Sequence, residues 1–256
     1  MEFLSIKELH HTYFTRSSAT TALSDITLDV KEGEFISFLG PSGCGKTTLL
    51  SIIAGLIEPT SGTVLLENKP VKTSQNDIGY MLQQDYLFPW KTIEENIQLG
   101  HKINGTLTKE SKRTTVSLLE QMGLNDVGSF YPKQLSGGMR QRVALVRTLA
   151  TEPKLLMLDE PFSALDFQTK LKLEDLVSNT LKNFNKTAIL VTHDIGEAIA
   201  MSDRIVLFSP SPGRVHKTFI VPEDLKALPP FKARNHQLYS ELFQTIWKEL
   251  ESLDKE

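Results

Sequence analysis

The feature that most constrains this chain is one glycine-rich stretch, Gly40-Pro41-Ser42-Gly43-Cys44-Gly45-Lys46-Thr47-Thr48. An apolar run at 35–39 precedes it, and a second apolar run at 49–55 follows it. The first run predicts a buried strand and the second predicts a helix. A loop of this composition between a strand and a helix has the arrangement that the P-loop pattern requires.

The chemistry of this loop follows from its backbone. Its glycines let the chain fold tightly, so that consecutive N–H groups point at one anion, and a helix starting near Lys46 adds the positive end of its dipole. We therefore expect residues 40–48 to surround a polyphosphate. Lys46 would reach the terminal phosphates, and the Thr47 hydroxyl would ligate a Mg²⁺ ion that bridges the same oxygens.

Composition limits the remaining options. A chain of 256 residues suits one large domain, or one domain with a substantial insert. Its 28 basic and 31 acidic residues give no indication of a nucleic-acid surface, so no nucleic-acid partner is expected. Cys44 is the only cysteine, which excludes an internal disulfide and fits a reducing compartment. The start, 1–4, does not resemble a secretory signal, and no apolar run approaches about 18 residues, so another chain would have to span any membrane.

Several polar residues stand where predicted strands end, namely Gly40, Gln83, Asp159, Glu160 and His193. In open α/β sheets, functional groups gather at the carboxyl ends of the strands. We therefore expect these residues to converge on one edge of a sheet.

Their chemistry suggests a role for each. Asp159 closes an apolar strand downstream of the P-loop, where a second Mg²⁺ ligand is expected. Glu160, the next residue, could orient or deprotonate a water for attack on the γ-phosphorus. His193 could donate to a γ-phosphate oxygen and hold Glu160 in register, although a structural histidine is the alternative. The Gln83 amide could contact Mg²⁺ or the attacking water and report the nucleotide state.

The predicted fold class is α/β, a P-loop cassette with a mostly parallel sheet core, an antiparallel β portion and a helical insert. Residues 1–84 and about 151–220 would form the core, with β structure over 3–30 interrupted by a loop at 15–21. Residues of about 85–150 read as the helical insert, and about 221–256 as a helical tail. The apolar stripe of the tail is expected to pack on its own domain, with a partner surface as the alternative; it comprises Leu238, Leu242, Ile246, Leu250 and Leu253.

Three further features lie outside the sheet edge. Leu135-Ser136-Gly137-Gly138 opens a predicted helix and offers a second anion site, about 90 residues after the first. Tyr13 could stack on a purine ring, or could be an ordinary strand or core tyrosine. Cys44 stands at a helix start, where thiols tend to be reactive, so we expect its alkylation to block nucleotide binding.

Taken together, these motifs resemble the ATP-binding subunit of an ABC transporter. The residues that carry the resemblance are 40–48, Gln83, 135–142, 155–161, Ser163-Ala164-Leu165-Asp166 and His193. The resemblance implies an ATPase that uses Mg²⁺ and works as a head-to-tail homodimer. It implies that Ser136, Gly137 and Gly138 of one copy close over the ATP held by Lys46 of the other, with Asp166 linking the two sites. Tyr13 would stack on the adenine.

Two finer features resemble the importer subgroup that handles nitrate, sulfonates and taurine. They are Leu87-Phe88-Pro89-Trp90 and the run 209–215, which departs from its usual form at Ser211, where a basic residue is more typical. The run 228–231 also lacks an expected arginine. This resemblance implies a peripheral protein on the cytoplasmic face of the cell membrane, with integral-membrane permease subunits and an extracytoplasmic solute-binding protein.

Two other classes of function remain as alternatives. One is a soluble ABC-type ATPase of DNA repair or translation, which would usually carry a long coiled coil or two cassettes; this chain shows neither. The other is a nucleotide-binding scaffold without hydrolysis, against which Glu160 and His193 argue.

Overall fold

The computed structural model describes residues 2–163, 165–184 and 186–253. Met1 and residues 254–256, which the predicted core and tail include, lie outside that range. The strands are β1 Glu2–Phe14, β2 Ala19–Lys31, β3 Phe35–Leu39, β4 Ser61–Leu66, β5 Lys69–Pro70, β6 Ile78–Met81, β7 Leu155–Asp159, β8 Thr187–Thr192, β9 Arg204–Phe208 and β10 Val215–Ile220. The helices are α1 Lys46–Ile53, α2 Ile93–Ile97, α3 Leu99–Ile103, α4 Lys109–Gln121, α5 Gly137–Leu149, α6 Phe167–Asn183, α7 Ile195–Met201, α8 Glu223–Lys226, α9 Pro230–Ala233 and α10 Gln237–Leu253.

The central sheet has the strand order β10-β9-β3-β8-β7-β6. Every pairing in it is parallel except that of β10 with β9. All residues of β3, β7 and β8 are buried, as expected for parallel strands that are covered on both faces. One apolar layer joins this sheet to α5 and α6, and another joins it to α1 and the second sheet. The α/β fold class is therefore confirmed.

The second sheet is antiparallel, in the order β2-β1-β4-β5. The turn between β1 and β2 spans only 15–18, so the loop predicted at 15–21 is too long. Thr20 pairs with Tyr13 and Thr21 pairs with Thr12. Threonine is β-branched and fits a pleated strand, which explains why the strand continues into a stretch that reads as polar loop.

Three α-helices, α2, α3 and α4, lie between β6 and α5. Thr92 caps α2 in a reciprocal arrangement: its hydroxyl accepts from the Glu95 N–H at 3.2 Å, and the Glu95 carboxylate accepts from the Thr92 N–H at 2.9 Å. This reciprocal pattern is a capping box. The helix predicted to open at 135–138 is present as α5, and α4 lies within the range predicted to be helical. The division into a core, an insert and a tail remains a prediction.

The tail lies against α6 and α7. Ile246 and Leu253 of α10 are buried, and the rest of the stripe packs beside them against Ile195, Ala198 and Ile199. The stripe therefore packs on its own chain, as expected. Within the described ranges, no helix has the length and apolar character needed to cross a bilayer.

Candidate active site

The strand registers bring the predicted polar residues to one edge of the central sheet. Leu39 of β3 lies beside Thr192 of β8, and Val191 lies beside Asp159 of β7. The next strand along, β6, ends at Met81 beside Leu158, two residues before Gln83. The edge predicted from the sequence is therefore present.

The loop after β3 depends on two glycines with left-handed backbone. Gly43 has φ of 80° and Gly45 has φ of 92°, where other residues are strained. A Cβ at position 45 would also lie 2.7 Å from Leu23 Cδ2 and 2.8 Å from the Ala22 carbonyl oxygen. The loop is thus packed closely on β2, and this fixes the direction in which α1 begins.

Lys46 brings its charge into the curve of this loop. It is the first residue of α1 and is largely buried. Its Nζ donates to the carbonyls of Gly40 at 2.8 Å and Pro41 at 2.9 Å. The ammonium group is therefore located inside the predicted phosphate site, at the N-terminus of a helix, where anions are favoured.

Cys44 differs from the expectation. Its side chain is 1% exposed and packs into the apolar layer below the loop, with Sγ 3.5 Å from Lys46 Nζ. Burial raises the pKa of the thiol, and the opposing effect of Lys46 is smaller. The predicted reactivity is therefore wrong, because the side chain points into the core. Only the backbone of Cys44 can belong to the phosphate site.

This correction has a measurable consequence. Because the thiol is buried and mostly protonated, we expect native protein to resist iodoacetamide at neutral pH and to react fully once unfolded in urea. Labelling followed by mass spectrometry would measure both states on the same sample. Rapid labelling of the native protein would contradict the buried position of Sγ.

The two residues predicted to hold Mg²⁺, Thr47 and Asp159, lie side by side between α1 and β7. The Thr47 hydroxyl donates to Asp159 Oδ1 at 3.4 Å, and the Tyr80 hydroxyl donates to Asp159 Oδ2 at 3.2 Å. Burial raises the pKa of the Asp159 carboxyl, as does the neighbouring Glu160, whereas the two hydroxyl groups lower it. Among the described residues, no cluster of three or more His, Cys, Asp or Glu side chains could hold a metal. Two oxygen ligands suit Mg²⁺, which takes its other ligands from water and phosphate.

Three side chains meet beyond the metal position. The Gln83 amide nitrogen donates to Glu160 Oε2 at 3.1 Å, and His193 Nδ1 lies 3.3 Å from Glu160 Oε1. Glu160 has φ of 46°, which is a strained backbone for a residue with a side chain. Its turn is held by the Glu160 N–H on the Val191 carbonyl at 2.9 Å and by Ser163 Oγ on the Glu160 carbonyl at 3.0 Å. The carboxylate is thus oriented by both predicted neighbours.

One open cavity of about 320 Å³ lies along the phosphate loop and reaches Glu160. Its lining includes Tyr13, Lys46, Thr47, Glu160 and Ser211. Tyr13 is 42% exposed, and its hydroxyl lies 3.2 Å from the Thr48 hydroxyl, so its ring is accessible and held at one end. An accessible aromatic wall beside a phosphate loop suits a nucleotide base.

The second predicted anion site stands apart from this cavity. Ser136 caps α5 by accepting from the Met139 N–H at 3.3 Å, and Ser136 and Gly137 are exposed. Ser136, Gly137 and Gly138 are not among the described residues that line the Lys46 cavity. The structure does not bring the two predicted anion sites together within one chain.

Side chains of α5 form hydrogen bonds with the segment that begins at Gln83. Gln141 donates to the Gln83 carbonyl at 3.2 Å, and Arg140 donates to Asp85 Oδ2 at 3.0 Å. Arg147 donates to the carbonyls of Asp85 and Tyr86 at 2.6 and 2.9 Å. The segment 83–86 is therefore fixed to α5.

Sequence reasoning missed some of the groups around the site. Tyr80 is one of them: its hydroxyl donates to Asp159, and both burial and the Asp159 charge raise its pKa, which keeps the hydroxyl protonated. Its position one residue before the end of β6 was the one available signal. Ser163 was noted only as part of a motif. Ala164 of that motif lies outside the described residues.

A phosphate loop, a hydroxyl and carboxylate pair for Mg²⁺, and an oriented glutamate together define a site for hydrolysing nucleoside triphosphates. The family described as ABC transporter matches residues 23–163. An uncharacterized ABC transporter ATP-binding protein of Bacillus subtilis is 63% identical over 256 residues, which is 100% of this chain and 98% of that protein. The taurine import ATP-binding protein of Roseobacter denitrificans is 40% identical, covering 88% of this chain and 87% of its own.

Comparison with solved structures also finds an ATP-binding cassette. The dimeric, post-hydrolysis ATP-binding cassette MJ0796, bound to ADP and Pi, has a TM-score of 0.76 and 34% identity, covering 86% of this chain and 99% of that chain. Sulfonate and nitrate import ATP-binding proteins also match, at 38% and 37% identity. The chain belongs to the ABC transporter family, as an ATP-binding cassette. It is an ATPase whose cofactors are ATP and Mg²⁺.

Proposed function

We propose that this chain powers a membrane importer of small solutes such as taurine, sulfonates or nitrate. It would sit on the cytoplasmic face of the cell membrane as a peripheral protein. Integral-membrane permease subunits would carry the solute, and an extracytoplasmic solute-binding protein would deliver it. The import proteins among the relatives support this proposal over a soluble ATPase of DNA repair or translation.

The observation that carries the mechanism is the separation of two half-sites within one chain. The cavity at Lys46 is open, and the exposed tip of α5 at Ser136 does not line it. In a head-to-tail homodimer, Ser136, Gly137 and Gly138 of one copy would close over the nucleotide of the other. The similarity of this chain to the dimeric cassette MJ0796 supports this arrangement. Asp166, at the start of α6, would link the two sites.

Within each site we assign one task to each group. Lys46 and the backbone of 40–45 bind the phosphates, and Tyr13 stacks on the adenine. Thr47 and Asp159 would hold the Mg²⁺ ion, with Gln83 as a further candidate ligand, and the ion would supply positive charge next to the phosphates. Glu160 orients and deprotonates the attacking water, and His193 and Gln83 fix its carboxylate. In this proposal, residues 1–84 and about 151–220 form the catalytic core, and about 85–150 the helical subdomain that carries Ser136, Gly137 and Gly138.

The aromatic residues that follow Gln83 include one that suits contact with the permease. Trp90 is 69% exposed, whereas Phe88 is half-buried with its backbone bonded to the Asn96 side chain. Large aromatic side chains, tryptophan among them, are enriched at protein interfaces. Trp90 is therefore the better probe of the two.

We expect Trp90→Glu to lower ATP-dependent solute uptake at least tenfold, because interface tryptophans often contribute about 2 kcal/mol or more to binding. Basal ATP hydrolysis by the isolated subunit should stay near its original rate. Uptake is measured in proteoliposomes holding the co-purified membrane complex, with taurine, an alkanesulfonate and nitrate as solutes. Trp247→Glu is the matched control, since the second tryptophan is 55% exposed on α10.

Two outcomes would count against the proposal. Loss of basal hydrolysis in Trp90→Glu would mean that the ring supports the fold instead of a partner. Failure of the subunit to co-purify with any polytopic membrane protein from its native membranes would favour the soluble alternative.

A further inference from the structure

The turn that carries His193 is held by a largely buried cation that none of the motifs includes. Lys170, in the first turns of α6, places Nζ 2.5 Å from Glu197 Oε1 and 2.7 Å from Asp194 Oδ2. Its side chain is mostly buried, and that of Glu197 is almost completely buried. The pair therefore lies in a region of low polarity, where each charge requires the other.

Both neighbours of His193 in the chain belong to this network. The Thr192 hydroxyl donates to Glu197 Oε2 at 2.5 Å and accepts from the Asp194 N–H at 3.0 Å. Asp194 Oδ1 caps α7, accepting from the N–H groups of Gly196 at 2.6 Å and Glu197 at 3.2 Å. The backbone on each side of His193 is thus fixed by groups that converge on Lys170.

The position of Lys170 is unusual for a cation. A positive charge near a helix N-terminus opposes the helix dipole and is normally unfavourable there. Here two carboxylates offset that cost. Burial lowers the Lys170 pKa, but the hydrogen bonds and charges of Asp194 and Glu197 outweigh burial and leave it raised, so the side chain stays charged. For Asp194 the signs are opposite. Burial alone would raise the pKa of its carboxyl, but the hydrogen bond and charge of Lys170 leave that pKa lowered.

The network opens directly onto the catalytic groups. A cavity of about 110 Å³ is lined by Glu160, Lys170, Thr192, His193 and Glu197, among others. Lys170 also follows Asp166, whose carboxylate caps α6 by accepting from the Thr169 N–H at 3.1 Å and whose carbonyl accepts from the Lys170 N–H at 2.9 Å. One side chain thereby joins the start of α6 to the turn that presents His193.

We propose that Lys170 is a positioning residue for His193, which it holds in register with Glu160 by bridging Asp194 and Glu197. The inference rests on the proposed role of His193 in hydrolysis. It predicts that losing the charge of Lys170 displaces the imidazole while leaving the phosphate loop intact. The effect should therefore fall on kcat and not on the KM for ATP.

The test compares Lys170→Met with Lys170→Arg in the full chain. We expect Lys170→Met to lower kcat by about 10- to 100-fold, the cost of a displacement of up to 1 Å at a catalytic group, with the KM for ATP almost unchanged. Lys170→Arg keeps the charge and should restore most of the rate. Lys172→Met is the matched control, since Lys172 is an exposed lysine on the same helix.

Each outcome decides the matter. A normal kcat in Lys170→Met, or no recovery in Lys170→Arg, overturns the inference. So does a rise in the KM for ATP as large as the loss of kcat, since that would show that the phosphate loop is disturbed as well. If Lys170→Met does not fold, Lys170→Gln, which removes the charge but keeps hydrogen-bond donors, is judged by the same criteria. His193→Ala separates the two proposals: if it loses turnover while Lys170→Met does not, only the inference about Lys170 fails.

Discussion

Replacing Glu160 with glutamine is expected to lower the turnover of ATP by about 10²- to 10⁴-fold, the usual contribution of a general base. The amide can still accept at Oε1 near His193, but it cannot take a proton from water. Nucleotide affinity should remain close to that of the unaltered protein, because the phosphate loop and the Asp159 position are unchanged. ATP should therefore accumulate bound, and the protein should remain as a closed dimer.

The measurement pairs steady-state phosphate release with light scattering on a sizing column in ATP and Mg²⁺. Glu110→Gln, at an exposed glutamate on α4, is the matched control and should behave like the original protein. Hydrolysis at the normal rate would remove Glu160 as the base. A monomer that persists with ATP bound would contradict the head-to-tail arrangement, whatever the rate.

A second large effect is expected in the tail. Arg234 Nη2 donates to Glu174 Oε2 of α6 at 2.5 Å, and the side chain of Glu174 is 0% exposed. Arg234→Met leaves this carboxylate buried without its cation. Removing one partner of a buried ion pair usually costs about 3–5 kcal/mol of unfolding free energy. Urea unfolding at neutral pH would measure the loss, with Arg113→Met at an exposed arginine of α4 as the control.

The same pair gives a double-variant test. In the part of the chain that the structure describes, Glu174 Oε1 and Arg234 Nε have no hydrogen-bond partner, so the ion pair is incompletely satisfied. Replacing both residues, as Arg234→Met with Glu174→Leu, should therefore recover most of the lost stability. A double variant as unstable as Arg234→Met alone would show that Arg234 stabilises the tail in another way.

The pH dependence of this effect has a definite sign. Burial raises the pKa of Glu174 even though Arg234 opposes it, so the folded protein binds a proton here more readily than the unfolded chain. Stability from this group is therefore lost as the pH rises above the ordinary carboxyl value of about 4.3. Arg234→Met removes the opposing charge and should lose more stability at pH 8 than at pH 5. Lys170, Glu197 and Tyr239 also act on this cluster, and the double variant shows whether Glu174 is the source.

The edge of the central sheet could be predicted because it depends on local patterns. Short, fully apolar runs such as 155–158 are typical of buried parallel strands, and the polar residue that ends each run must lie at the same edge. The phosphate loop could also be predicted from the sequence, because glycines and a lysine in that order have few other structural roles. These patterns need no knowledge of distant contacts.

The features that sequence reasoning missed depend on contacts between remote elements. Lys170 and Glu174 look like ordinary charges on a helix, and their partners are 24 to 60 residues away. The prediction that Cys44 is reactive was wrong for a related reason. The position of a residue in a loop does not reveal whether its side chain points outward or into the core. Burial, which decides both cases, is a property of the assembled fold.

The two ends of α5 have different neighbours, and this has a mechanical consequence. Its N-terminal tip is exposed at Ser136 and Gly137, while Gln141 and Arg147 are bonded to the 83–86 segment that leads to Trp90. A 13-residue helix is a stiff rod about 20 Å long. In the proposed dimer, a shift of this tip towards the nucleotide of the partner copy would pass through these hydrogen bonds to the segment before Trp90, and so to the proposed contact with the permease.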